Sequence, residues 1–270
     1  MRTEDWLVTA TPPTPNGDLH LGHLSGPYLA ADSFARHLRQ LGADTVTLTG
    51  IDDHQSYTQT RGIRENSDAA STARYFGDRI VRAWDQAGIS FDLISRPDRM
   101  PAHQWLTQSV FSKLLAQGDI VAKTRPLPYC PRCERWSFEA FVVGACPHCG
   151  SSSCGNACEV CGMPNDCADL ADPHCTICGA GCETKDCERL YLPLAPHADA
   201  LSALWQRANM NAHLTALCDS LVMAGLPEIA VSHPATWGIE VPDGRLAGQR
   251  IYVWFEMAAG YLSAGADDAG

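Results

Sequence analysis

Two groups of residues have the types and spacing for chemistry. The first is a run of four CxxC pairs, Cys130/Cys133, Cys146/Cys149, Cys158/Cys161 and Cys175/Cys178. Two residues between cysteines let both thiolates of a tight turn face one ion. Two such turns complete a tetrahedron, so these eight cysteines predict two Zn2+ sites. The inner pairs, 146/149 and 158/161, are near enough to close one site, leaving the outer pairs to share the second; sequential pairing is the alternative. With every position a thiolate, no open place remains for water or substrate, so the metal is expected to be structural. Cys154, Cys167, Cys182, Cys187 and Cys218 are left over as bystanders. The second group is Thr11-Pro-Pro-Thr-Pro-Asn-Gly-Asp-Leu-His-Leu-Gly-His23. His20 and His23, three apart, share one side of a first helical turn. A loop entering a helix there aims free N–H groups at an anion such as a phosphate. Spacing alone does not separate this from a pair of ordinary surface histidines.

The elements that must position these groups are those of an α/β protein. Strands fit Asp5–Ala10 and Asp44–Gly50, with a helix over Leu21–Leu41 between them, which is the βαβ unit of a parallel sheet. Further helices fit Ser67–Ala87 and Pro101–Gln117, around a short strand at Asp92–Ser95. The composition then changes, and three domains are expected: 1–125, the cysteine-rich 126–188, and 189–270. The middle segment is too poor in large apolar residues to fold on its own core, so something else must order it. The last zone predicts helices over Ala198–Asn211 and Ala212–Ala224, then a strand over Arg250–Phe255.

The 270 residues are 45% apolar and 19% charged, which excludes a disordered chain or a coiled coil. No apolar run approaches the ~18–20 residues of a membrane span, and no signal peptide opens the chain. Reduced cysteines without a secretion signal imply the cytoplasm. The formal charge is −11 with three lysines, so long-range attraction to nucleic acid is not the default.

His-Leu-Gly-His after Pro-Asn-Gly resembles the HIGH signature of class I aminoacyl-tRNA synthetases. Nearly all of the chain is similar to the N-terminal catalytic part of the methionyl subgroup. Leu48-Thr-Gly-Ile-Asp-Asp-His54, the CxxC knuckles, Trp237-Gly-Ile-Glu-Val-Pro242 and Tyr252-Val-Trp-Phe-Glu256 with Gly260-Tyr261 carry the likeness, in order. The resemblance implies a Rossmann-like nucleotide-binding domain, its second half incomplete, with an inserted zinc-knuckle connective domain. It implies an ATP-dependent ligase that makes an aminoacyl adenylate, with Mg2+ on the triphosphate. Asn16, Gly17, His20, Gly22 and His23 would bind ATP, the two histidines as catalytic groups. Asp52 would grip the substrate ammonium, and Trp254 and Tyr261 would wall the amino-acid pocket.

Four departures from the family qualify that expectation. No Lys-Met-Ser-Lys-Ser loop follows; the last lysine is Lys185. A longer chain or a second subunit would then supply it, or the ATP site no longer turns over. Pro12, Thr14 and Met257 stand where the family has Leu, Tyr and Ala, which points to a smaller amino acid, glycine or alanine in size. His233-Pro234 replaces an Arg-Asp pair, and Gln55 replaces a glycine. No anticodon-reading domain or basic patch is present, so tRNA is an open question as partner. The expected protein is therefore a paralogue with an altered pocket. The alternatives are a tRNA-independent ligase of specialised metabolism, such as the synthetase-like component that works beside a cupin in hydrazine formation, and a non-catalytic zinc-stabilised scaffold.

Overall fold

β-Branched runs separated by helices with one apolar stripe produce a parallel sheet at the start of the chain. The computed structural model describes residues 5–263. These form two units, the first holding residues up to 110, 237–239 and those from 253 on, the second holding 111–236 and 240–252. In the first unit, β1 (Asp5–Thr9), β2 (Asp44–Gly50) and β3 (Leu93–Ser95) pair in that order. Both pairings are parallel, with Leu7 opposite Val46 and Leu48 opposite Leu93. This is the Rossmann-like sheet expected of the βαβ pattern.

The predicted helix 21–41 is present in three joined pieces: α1 (Leu21–His23), a π-helical turn (Leu24–Tyr28) and α2 (Leu29–Gln40). Pro27 lies in the π turn, where its missing N–H breaks the regular ladder. Tyr28, Ala31, Ala35 and Leu38 pack with Val8, Ile80, Trp84 and Ile89 as one apolar core. Helix α3 (Ser56–Arg64) has no counterpart among the sequence expectations, because its buried residues are Ser56, Thr58, Thr60 and Gly62 rather than an apolar stripe. Gly62 is required there: a Cβ would stand 2.8 Å from the Ser67 carbonyl oxygen. Helix α4 (Ala69–Gln86) is capped by Asp68, whose carboxylate accepts the Ser71 N–H at 2.7 Å. Helix α5 (Pro101–Gln117) follows with the predicted bounds.

In the second unit, β4 (Val121–Cys130) and β9 (Glu183–Pro193) form a long antiparallel ladder from Val121↔Tyr191 to Tyr129↔Glu183. Pro126 and Pro128 are tolerated in β4 because β5 (Arg135–Trp136) pairs only with Tyr129 and Cys130 on its other side. Between the ladder strands lie β6 (Val142–Ala145), β7 (Ser152–Ser153) and β8 (Ala171–Cys175), in the order β7-β6-β8. Buried Arg189 on β9 fixes this region, with Nη2 2.8 and 3.0 Å from the two Asp166 carboxylate oxygens. Helix α6 (Ala198–Arg207) stops short of the predicted 211, and Asn211 caps α7 (Ala212–Ala224) by accepting the Leu214 N–H at 2.9 Å. Short strands β10 (Glu228–Ala230), β11 (Ser232–Pro234) and β12 (Gln249–Ile251) complete the unit.

The strand expected over 250–255 is corrected by the structure. It ends at Ile251, and α8 (Val253–Ser263), part of the first unit, begins two residues later. An apolar run of this length fits either element by pattern alone, and the Glu-Met-Ala-Ala that follows favours helix.

Candidate active site and metal centres

The turn from β1 into α1 is set by two histidines that cap the helix and each other. His20 Nδ1 accepts the backbone N–H groups of Gly22 at 3.0 Å and His23 at 3.3 Å, and His23 Nδ1 accepts the His20 N–H at 3.3 Å. The rings stack with centroids 3.7 Å apart. Gly22 makes room for this, since a Cβ there would stand 2.9 Å from His20 Cε1. Each Nδ1 is thus an acceptor, so each neutral ring carries its proton on Nε2. The His20 ring is exposed and His23 is half-buried, with burial and the His20 charge lowering the His23 pKa. Asn16 and Gly17 lie in the loop that enters this turn, both half-buried.

The same loop meets the end of β2. The Asp52 N–H donates to the Pro13 carbonyl at 3.0 Å, which ties the loop to the Asp52-Asp53-His54 turn. Trp237 Nε1 donates to the Asp53 carbonyl at 2.9 Å, and its indole meets the His54 ring edge-on with centroids 5.0 Å apart. Burial pushes the Asp53 carboxyl up to about 6, with Arg96 opposing it. Asp52 is buried and lines a cavity of about 30 Å³, together with Pro12, His103, Glu256, Met257 and Tyr261. That volume holds one or two waters. Burial, and Asp52 beside it, raise the Tyr261 pKa. Of the six residues expected around an amino acid, Pro12, Asp52, Met257 and Tyr261 line this cavity. Thr14 is half-buried and Trp254 is 49% exposed, and neither is part of the lining.

A buried triad that the sequence reading missed lies beside the cavity. Glu256 Oε1 sits 2.7 Å from His54 Nδ1 and 3.0 Å from His103 Nε2, while His103 Nδ1 is 3.1 Å from Ser263 Oγ. Burial pushes the Glu256 carboxyl up, but His54 and His103 outweigh it and bring it down to about 2. Burial likewise opposes the His54 imidazolium, and Glu256 more than compensates, so its pKa is raised. A single acid in the otherwise apolar run Val-Trp-Phe-Glu-Met-Ala-Ala was the available signal; its two partners, on α5 and after β2, lie too far off in sequence to be paired by spacing.

The cysteines form two groups of four, Cys130/133/175/178 and Cys146/149/158/161, with the sulfurs of each group within 4.8 Å of one another. This is the nested pairing, not the sequential one. Sulfur–sulfur distances of 3.5 Å (Cys130–Cys178), 3.9 Å (Cys133–Cys175), 3.9 Å (Cys146–Cys161) and 3.6 Å (Cys149–Cys158) match the ~3.8 Å edge of a tetrahedron with ~2.3 Å metal–sulfur bonds. They are far beyond a ~2.05 Å disulfide. Turn N–H groups stabilise thiolate: Cys133 N donates to Cys130 Sγ at 3.4 Å, and the Ala180 N–H helps hold Cys178 at about 7. The eight residues therefore fit a metal ion in each group. The other five cysteines lie outside both groups. Gly155, at φ +73°, passes so close to Cys167 that a Cβ would fall 2.2 Å from its Cα.

His233, which stands in place of the family's arginine, belongs to the second unit. It is buried, stacks on Phe138 at 4.6 Å and lies 3.4 Å from Arg189 Nη1; burial and that guanidinium push it down to about 3. Gln55 is buried at the start of α3.

The family model described as tRNA synthetases class I (M) matches residues 6–268. The methionine–tRNA ligase of Pyrococcus furiosus is 33% identical over 261 residues, covering 96% of this chain and 36% of that protein. The methionine–tRNA ligase of Thermoplasma acidophilum is 31% identical over 259 residues, covering 95% of this chain and 47% of that protein. The chain thus spans less than half the length of these relatives. Among solved structures, Mycobacterium tuberculosis methionyl-tRNA synthetase bound by methionyl-adenylate shares the fold, with a TM-score of 0.70, 23% identity and coverage of 97% of this chain and 47% of that one. A family match along almost the whole chain, on a parallel sheet whose first βα turn presents paired imidazoles, places this protein in the class I tRNA synthetase (M) family.

Proposed function

We propose that this protein activates an amino acid with ATP to an aminoacyl adenylate. A carboxylate oxygen attacks the α-phosphorus, the bond to the β-phosphate bridging oxygen breaks, and pyrophosphate leaves. The observation that carries this reading is the stacked His20/His23 pair, each Nδ1 an acceptor so that each Nε2 carries the proton, on a loop tied through the Pro13–Asp52 hydrogen bond to an acid-lined cavity. The two Nε2–H groups would hydrogen-bond the phosphates most strongly as charge spreads in the transition state, with Asn16, Gly17 and Gly22 lending a loop free of bulk. Asp52 would hold the substrate ammonium. That a family structure holds methionyl-adenylate supports the nucleotide half of this reading. Mg2+ would arrive on the triphosphate and neutralise charge there, for among the described residues only the thiolate groups have metal-ligand spacing. Zinc in those two groups would hold the inserted knuckles in shape.

The amino acid is proposed to be smaller than methionine, since the cavity that Met257 helps to line measures only about 30 Å³. This also favours the paralogue over the plain methionyl enzyme and leaves room for an acceptor other than tRNA, including the cupin-associated route. A lysine-rich loop would come from further chain or a second subunit. Among the described residues no helix is long and apolar enough to cross a membrane, and the free thiols fit a reducing cytoplasm. ATP–pyrophosphate exchange across the twenty amino acids and their N-hydroxy derivatives tests the reading. Exchange with small amino acids supports it, methionine-dependent exchange restores the plain enzyme, and no exchange with any of them, even with the lysine-rich half supplied, refutes it.

A further inference from the structure

The Glu256 carboxylate is half-used. Its Oε1 takes both His54 Nδ1 and His103 Nε2, whereas Oε2, equally buried, has no hydrogen-bond partner among the described residues. Both rings are already engaged elsewhere. His54 is packed edge-on against Trp237, and His103 is anchored through Nδ1 to Ser263 Oγ, whose hydroxyl donates to the Gly260 carbonyl at 3.1 Å. Gly260 also leaves no slack, since a Cβ there would stand 3.1 Å from His103 Cε1. A buried carboxylate oxygen without a donor is costly and calls for one. Glu256 itself lines the cavity shared by Pro12, Asp52, Met257 and Tyr261.

We propose that this cavity takes a short amino acid whose side chain donates a hydrogen bond, a hydroxyl or an amine one carbon from Cα, with Glu256 Oε2 as the acceptor. The inference rests on the adenylate reading and adds the substrate's chemical class to it. A thioether side chain would leave Oε2 unmet and would need the space that Met257 occupies. Glycine and alanine fit the space but offer no side-chain donor. Asp52, on the same cavity, is left for the α-ammonium, so the two acids read two different groups of one substrate. His54 and His103 act as positioning residues that fix the carboxylate plane.

The test is binding of 5′-O-(N-aminoacyl)sulfamoyl adenosines carrying seryl, 2,3-diaminopropionyl, alanyl, glycyl and methionyl groups, with 5′-sulfamoyl adenosine alone as reference. The seryl or diaminopropionyl compound is expected to bind at least tenfold more tightly than the alanyl one, and the winner identifies hydroxyl or amine. Glu256→Gln keeps the shape but turns the acceptor into a donor, and should shrink that ratio to under threefold. Equal seryl and alanyl affinities in the unaltered protein, a methionyl preference, or a ratio that survives Glu256→Gln would overturn the proposal while the adenylate reading stands. Failure to bind any of these compounds, including 5′-sulfamoyl adenosine, would remove both.

Discussion

Each Nδ1 of the His20/His23 pair accepts from backbone N–H groups, which leaves the ring proton on Nε2. Capping and the proposed phosphate binding would therefore use different nitrogens and can be separated by substitution. In His20→Asn the amide oxygen can replace Nδ1 as cap, while the Nε2 donor is lost. Adenylate formation is expected to slow by roughly 10²–10³-fold, the usual loss for one such donor, with the melting temperature little changed. Pre-steady-state formation of the adenylate, alongside a thermal melt, checks both halves. Glu256→Ala leaves His54 buried beside Asp53 without its counter-ion and is expected to destabilise the protein by ~3–5 kcal/mol, read by denaturant unfolding. The pair also has a pH signature. His54 is raised above its ordinary 6.5, so its contribution is complete below about pH 6.5 and fades as pH rises through the higher folded value. Glu256, at about 2 against 4.5, loses its share only as pH falls below about 4.5. Stability from the pair should peak between these limits, and Glu256→Gln should flatten the alkaline fall in melting temperature.

At the scale of elements, legibility followed the range over which a feature is encoded. The CxxC turns are local, and once each pair is recognised only its partner pair remains to be settled. The βαβ start was legible because α2 carries its core residues at helical spacing. Helix α3 was not, because its buried side is Ser, Thr and Gly, and the β4/β9 ladder was not, because two prolines interrupt β4 and its partner lies about sixty residues on. The same limit hid the His54–Glu256–His103 triad, assembled from three separate elements. The nested thiolate groups make their own prediction. Cys133→Ser strips one ligand from the outer group alone, so metal analysis should fall from about two zinc ions per chain to about one. Cys149→Ser should do the same through the inner group. Two ions surviving either change would mean the grouping is wrong.

For the whole molecule, the parallel sheet raises a question of cover. Parallel strands are ordinarily buried on both faces, yet Leu7 on β1 is 60% exposed and its register partner Val46 on β2 is 41% exposed. Phe34 and Trp6, with ring centroids 5.9 Å apart, form a separate exposed apolar pair on the α2 side of the sheet. A protein with a net charge of −11 resists non-specific association through repulsion, so association should occur where the Leu7/Val46 surface lies. Light scattering of the chain is expected to show concentration-dependent self-association that Leu7→Glu weakens; equal scattering by both proteins would mean the face is inert. The proposed reaction makes a new bond between an amino-acid carboxylate oxygen and the α-phosphorus of ATP. Incubating the protein, in the complete form in which it occurs in its cell, with ATP and short amino acids labelled with ¹⁸O in the carboxylate tests that bond directly by mass spectrometry. The expected result, after hydrolysis of the adenylate at its carbonyl, is AMP carrying one ¹⁸O, together with pyrophosphate. AMP without label, or ADP in its place, would contradict it.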